Sequence, residues 1–154
     1  MDIFLTPTKK ALVIGASGQD GSLLCLSLLK KNYSVIGTSR NSCISPKNHS
    51  TLGIEKDLIL KTCKITDVIN LRKLISEEYP DEIYNLAAQS SVGRSFTNPS
   101  GTLESITNGT LNLLEACKQL KYEGNVFFAG SSEIFGNTAE PANINHCQNP
   151  ISPY

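Results

Sequence analysis

The sequence has no excess of either charge. Fourteen basic and 14 acidic residues leave a formal net charge of zero over 154 residues. That balance excludes the broad electrostatic footprint of a nucleic-acid or membrane-surface protein, so neither partner is expected. Long hydrophobic runs are also missing: no stretch approaches the ~18–20 apolar residues that span a membrane. Asp2 comes early and Lys9-Lys10 follow a short apolar stretch, which is not the order of a signal peptide. The five cysteines (Cys25, Cys43, Cys63, Cys117, Cys147) and two histidines (His49, His146) form no CxxC pair and no metal-ligand cluster, so no metal is expected. An odd number of isolated cysteines fits reduced thiols and a cytoplasmic location. Neither an internal repeat nor a low-complexity segment is visible. What is there is an ordinary globular balance, 40% hydrophobic and 18% charged with 11 Gly and 7 Pro. At ~100–200 residues per domain the length fits one domain.

Short apolar runs alternate with helical patterns. The runs are 11–14, 34–38, 58–60 (extending toward Cys63), 82–86 and 125–129. Their brevity and apolarity predict strands buried on both faces of a parallel sheet. Between them, 21–31 carries Leu23, Leu24, Leu26, Leu28 and Leu29, a wide apolar face. The segment 67–78 opens on Thr66-Asp67, good capping types, and 102–121 follows Pro99 near its entrance. Segments 41–50 and 137–153 are polar and read as loops. This alternation predicts an α/β, Rossmann-type doubly wound parallel sheet with strand order 3-2-1-4-5 and the ligand at the strands' carboxyl ends.

Gly15-Ala-Ser17-Gly18-Gln19-Asp20-Gly21 follows the first strand directly and opens the first helix. That is the context a dinucleotide fingerprint requires. The glycines permit a tight turn and bring backbone N–H groups to a pyrophosphate, and the helix N-terminus adds partial positive charge. The spacing is G-x-x-G-x-x-G rather than G-x-G-x-x-G. The second strand ends Thr38-Ser39-Arg40-Asn41-Ser42 without an acid. An acid there would take a ribose 2′-hydroxyl, whereas an Arg suits a 2′-phosphate, so NADP is expected rather than NAD.

Three segments occur together: 15–22, Asn85-Leu86-Ala87-Ala88-Gln89-Ser90, and Gly130-Ser131-Ser132-Glu133-Ile134-Phe135-Gly136. They resemble the extended short-chain dehydrogenase/reductase superfamily, whose members modify nucleotide sugars. Within it, Gly-Gln-Asp-Gly-Ser and Asn-Leu-Ala-Ala-Gln-Ser are most similar to the GDP-mannose 4,6-dehydratases. Ser152-Pro153-Tyr154 resembles the start of the superfamily's Tyr-x-x-x-Lys motif. The resemblance covers 10–154. It implies that Gly15, Ser17, Gly18, Gln19, Asp20 and Gly21 line the pyrophosphate. Arg40, Asn41 and Ser42 would surround the 2′-phosphate. Lys64 and Ile65 fall at the adenine, with Lys64 where the family usually carries Asp. Leu86, Ala87, Ala88, Gln89 and Ser90 would run beside the cofactor and edge the substrate. Ser91 stands where the dehydratases commonly have His, and Gly101 where the family has a cofactor-contacting Tyr.

The resemblance assigns catalysis to Ser131, Glu133 and Tyr154. Tyr154 would take the proton of the sugar 4-hydroxyl as hydride leaves C4, with Ser131 bonded to that oxygen. Glu133 would remove the C5 proton and assist loss of water from C6, where the hydride returns. The implied reaction converts GDP-mannose to its 4-keto-6-deoxy form. Related epimerases, reductases and decarboxylases are the alternatives, as is a non-catalytic nucleotide-binding remnant. The family's Tyr is helped to ionise by a Lys four residues on, and this sequence ends at Tyr154. The expectation is therefore that 1–154 is an NADP-binding domain, the N-terminal part of a longer enzyme, and inactive by itself. The full-length enzyme is expected to be a homo-oligomer.

Overall fold

The computed structural model describes residues 9–40 and 47–154. Five parallel strands form one sheet: β1 (Lys9–Ile14), β2 (Tyr33–Ser39), β3 (Ile59–Thr62), β4 (Glu82–Asn85) and β5 (Asn125–Phe128). Their order is β3-β2-β1-β4-β5, the order the alternation predicts.

The central strands alternate cleanly. Ala11 and Val13 of β1 and Val35 of β2 pack with Cys25 and Leu28 of α1 (Gln19–Lys30) on one face. Leu12, Ile14, Ile36 and Ile83 point to the other face. There they meet Leu71, Leu74 and Ile75 of α3 (Val68–Glu78), and Leu113 and Ala116 of α6 (Gly109–Gln119). The period of two in the strands thus feeds two separate apolar layers. Full burial of a side chain such as Ile83 contributes ~1.5–3 kcal/mol. α3 starts where it does because the Asp67 carboxylate accepts from the Asn70 backbone N–H at 3.2 Å, and that bond lowers its pKa.

Four expectations need correction. The edge strands are not buried on both faces: β5 is exposed along its whole length and β3 nearly so. The reason is coverage. α1 packs on β1 and β2, and among the described residues no helix packs on the α1 side of β5, where Phe127 meets Tyr84 in a tilted ring contact at 6.0 Å. Second, the polar segment 41–50 is not wholly loop. Residues 41–46 lie outside the described residues, but Lys47–Leu52 forms α2, and its His49 is buried. Third, the helix expected over 102–121 starts earlier and is not continuous. It comprises α5 (Pro99–Leu103), a π turn over Glu104–Asn108, and α6. Asn98 caps α5 by accepting from the Gly101 N–H, with Pro99 in the first turn. Fourth, α4 (Val92–Thr97), capped by Ser91, precedes it where no helix is expected. The tail 137–153 carries no strand or helix, as its composition predicts.

Candidate functional site

The carboxyl ends of the parallel strands open into a cleft of about 600 Å³. This is the crevice where ligands bind in doubly wound sheets, and its volume suits a nucleotide-sized molecule. Its floor is the loop after β1. Gly15 sits at φ +91°, and a Cβ there would lie 2.9 Å from the Ala87 nitrogen, so only glycine fits. The Gly18 N–H donates to the Gly15 carbonyl at 3.0 Å, closing the turn. A Cβ on Gly21 would run into that same carbonyl, far inside contact distance, so α1 can approach the loop only through glycine.

Gly18 is different. Its backbone is extended at φ −72°, and a Cβ there would meet nothing nearer than the Gly15 carbonyl oxygen at 3.4 Å. The fold therefore does not require glycine at 18. The space above it, at the first turn of α1, is open, and a methyl would fill it. A cradle of this kind over a helix N-terminus fits a phosphate group.

One wall is made by the ends of β2 and β3. Thr38, Ser39 and Arg40 face Cys63, Lys64, Ile65 and Thr66, and the Cys63 N–H donates to the Ser39 carbonyl at 3.1 Å. Arg40 and Lys64 thus bring two cations to one side of the cleft. Burial pushes the Cys63 thiol up to about 11, so it is a neutral thiol at pH 7 and no nucleophile. The opposite wall is the segment after β4. The Leu86 N–H donates to the Ile14 carbonyl at 2.9 Å, and the Ala87 N–H to the buried Asn85 Oδ1 at 3.2 Å. Ala88, Gln89 and Ser90 continue along the cleft. The Gln89 amide donates to Thr102 Oγ1 at 3.1 Å, and its backbone N–H to Ser105 Oγ at 3.3 Å, which fixes this wall to α5 and the π turn.

The cleft thus brings together Gly15, Ser17, Gly18, Arg40, Lys64, Ile65, Leu86, Ala87, Ala88, Gln89 and Ser90. Gln19, Asp20 and Gly21 form the first residues of α1 and do not themselves line it. Asn41 and Ser42 lie outside the described residues. Ser131, Glu133 and Tyr154 do not line it. Ser131 follows β5, where the Ala129 N–H continues the ladder to the Asn85 carbonyl at 3.1 Å. It caps the short 3-10 turn Ser132–Phe135 by accepting from the Glu133 N–H at 3.2 Å. Accepting there leaves its own hydroxyl proton to donate elsewhere. The tail returns to this turn, with the Asn149 N–H on the Ile134 carbonyl at 2.8 Å, five residues before Tyr154. Among the described residues no hydrogen bond joins Tyr154 to Ser131 or Glu133. Sequence reasoning missed Arg94 of α4 and Glu104 and Ser105 of the π turn, all of which line the cleft. The signal that could have found them is Asn98-Pro99, a cap and first-turn pair that sets a helix start at the cleft.

A family model described as GDP-mannose 4,6 dehydratase matches residues 12–154. GDP-mannose 4,6 dehydratase 2 of Arabidopsis thaliana is 39% identical over 164 residues, covering 96% of this chain and 43% of the relative. The GDP-mannose 4,6-dehydratase of Yersinia enterocolitica is 40% identical over 157 residues, covering 95% and 42%. The chain thus spans well under half the length of these relatives. Among solved structures, UDP-glucose 4-epimerase from Brucella ovis in complex with NAD superposes with a TM-score of 0.84 at 25% identity, over 96% of this chain and 43% of that one. The Thermus thermophilus UDP-glucose 4-epimerase complex with NAD gives 0.81 at 28% identity, over 94% and 47%.

Proposed function

The chain belongs to the GDP-mannose 4,6 dehydratase family, and on that premise we propose that it is the cofactor-binding, N-terminal part of a nucleotide-sugar 4,6-dehydratase, a lyase acting on GDP-mannose with NADP. The observation that carries this reading is the open cradle over Gly18, in a cleft that also holds Arg40 and the 86–90 segment. Gly15, Ser17, Gly18, Gln19, Asp20 and Gly21 would hold the pyrophosphate through backbone N–H groups and the start of α1. Arg40, with Asn41 and Ser42, would take the 2′-phosphate, and Lys64 and Ile65 would lie at the adenine. Bound there, the nicotinamide cofactor supplies the hydride acceptor and donor for a reaction that returns it unchanged.

The chain's own groups would handle the protons. Tyr154 takes the proton of the sugar 4-hydroxyl. Ser131 donates to that oxygen, which the cap it makes with Glu133 leaves it free to do. Glu133 removes the C5 proton, made acidic by the neighbouring 4-ketone, and assists departure of the C6 hydroxyl as water. An oxyanion at the tyrosine needs a cation beside it, and among the described residues no Lys or Arg hydrogen-bonds the Tyr154 hydroxyl. We therefore expect the chain by itself not to turn over. Conversion of GDP-mannose by the isolated chain supplied with NADP+ would refute that. Cytoplasmic residence and homo-oligomerisation of the full-length enzyme complete the proposal. Buried free thiols at Cys25, Cys63 and Cys117 support a reducing compartment.

Calorimetric titration with NADPH and NADH tests the cofactor assignment. The expected result is at least ~10-fold preference for NADPH, abolished in Arg40→Ala, since a charge-assisted bond to phosphate contributes about that much. Equal binding of both cofactors by the unmodified chain would overturn it.

A further inference from the structure

The helix α2 is short and polar, yet it buries an imidazole. Lys47–Leu52 reads Lys-Asn-His-Ser-Thr-Leu, and His49 is 2% exposed. A buried imidazole is costly unless its nitrogens are bonded. His49 Nε2 lies 2.7 Å from the Ala16 carbonyl oxygen. A carbonyl only accepts, so Nε2 carries the proton and donates. The preceding residue does the same one peptide further on: Asn48 Nδ2 donates to the Ser17 carbonyl at 3.2 Å. Consecutive side chains of one helix thus hold consecutive carbonyls of the glycine loop.

In a trans peptide the carbonyl and the following N–H point in opposite directions. Holding the Ala16 carbonyl toward α2 turns the Ser17 N–H away from it. Holding the Ser17 carbonyl turns the Gly18 N–H away as well, toward the Gly15 carbonyl it bonds at 3.0 Å. Neither peptide can flip without breaking its bond to α2. The Gly15–Gly18 bond restrains the 17–18 peptide as well, so the clasp matters most at the 16–17 peptide, in a loop where two of the four residues from 15 to 18 are glycine. Neither Asn48 nor His49 lines the cleft, so neither would touch a ligand there.

We propose that Asn48 and His49 are positioning residues: a clasp that fixes the 16–17 and 17–18 peptides so that the loop is preset for a pyrophosphate. The proposal rests on the cofactor reading above. It separates the clasp from a purely structural role by one property. Loss of the clasp weakens ligands that carry a pyrophosphate and spares a ligand that lacks one.

The test measures binding of NADPH and NADH by calorimetry, and of adenosine 2′-monophosphate by ligand-observed NMR, to the 154-residue chain and its variants. His49→Leu is expected to weaken the tighter-binding dinucleotide ~10-fold, the effect of about one positioning hydrogen bond. It should leave adenosine 2′-monophosphate within ~2-fold. His49→Gln, whose amide nitrogen reaches about as far as Nε2, is expected to restore most of the affinity. Asn48→Ala, at an exposed site that does not threaten folding, is expected to weaken the dinucleotide ~3-fold. Unchanged dinucleotide affinity in Asn48→Ala and His49→Leu would overturn the clasp. So would an equal loss for all three ligands, or a His49→Gln as weak as His49→Leu. If His49→Leu does not fold, Asn48→Ala decides: a loss for the dinucleotide that spares adenosine 2′-monophosphate supports the clasp, and an unchanged dinucleotide or an equal loss for all three ligands overturns it. An unmodified chain that binds neither dinucleotide overturns the cofactor reading, and the clasp with it.

Discussion

At β1, Ala11, Leu12 and Val13 expose nothing, whereas at β5 Phe127 and Phe128 leave 52% and 48% of their surface in water. The loops that follow these strands differ in the same way. After β1, the glycine loop is set by contacts that admit no extra atom at Gly15 or Gly21, and it is held from outside by Asn48 and His49. After β5, the Ser131–Glu133 turn is held by a local cap, by one hydrogen bond from the returning tail and by an edge contact between the Phe135 and His146 rings. Packing fixes the region assigned to the cofactor, and hydrogen bonds along the chain fix the region assigned to proton transfer. The first is determined by the core of this chain; the second has little of that core behind it.

Substitutions can break or sharpen this contrast. Gly21→Ala should have the largest effect. A methyl driven into the Gly15 carbonyl is expected to cost ~3 kcal/mol or more, read as a large drop in thermal midpoint or as failure to fold. Next come two strand truncations. Ile83→Ala, in a fully buried site on β4, is expected to cost ~2–5 kcal/mol by denaturant unfolding. Phe127→Ala on half-exposed β5 should cost ~1 kcal/mol, since only part of the side chain leaves an apolar surface. Equal costs would remove the contrast. Gly18→Ala should leave the thermal midpoint nearly unchanged and weaken dinucleotide binding ~10-fold, because its methyl occupies the cradle rather than the core.

The smallest effect concerns Glu78, at the end of α3. It pairs with Lys61 at 2.8 Å and with Lys10 at 3.3 Å, and the Lys61 bond, then the Lys10 bond, hold its carboxyl below the ordinary value. A lowered folded-state pKa contributes stability above the unfolded value of ~4.3. That contribution fades as pH falls through the lower folded value. Glu78→Gln should therefore be slightly less stable than the unmodified chain at pH 7, with the difference vanishing in acid. A difference that grows on acidification would contradict the ion-pair account.

Much of the cofactor region was legible because its signals are local. Gly15, Gly18 and Gly21 sit between a short apolar run and a leucine-rich helix, and strand order follows from the alternation. Arg40 was read from its position at the end of the second strand, whereas Lys64 entered only through the family resemblance. α2 was not legible: Lys-Asn-His-Ser carries no apolar stripe, and what orders it is a tertiary bond from His49 to a carbonyl 33 residues earlier. The π turn escaped because its residues continue a helical pattern, and the extra residue per turn leaves no compositional trace. The exposure of β5 escaped because apolar composition reports what a strand could bury, not what lies over it. Ser131 and Glu133 were legible as a motif, but that neither lines the cleft depends on where β5 and the turn after it sit, which no periodicity encodes.

One contact at the heart of the sheet bears on how such sequences can vary. Gly37 of β2 lies under the glycine loop, where a Cβ would come within 2.6 Å of the Ala16 Cβ. Both atoms cannot be present at once, so positions 16 and 37 share room for a single methyl. Alanine at 37 becomes tolerable when 16 is glycine, and a larger residue at either site demands that the loop leave the sheet. Divergence at these two sites is therefore reciprocal, with each substitution conditional on the residue already held at the other.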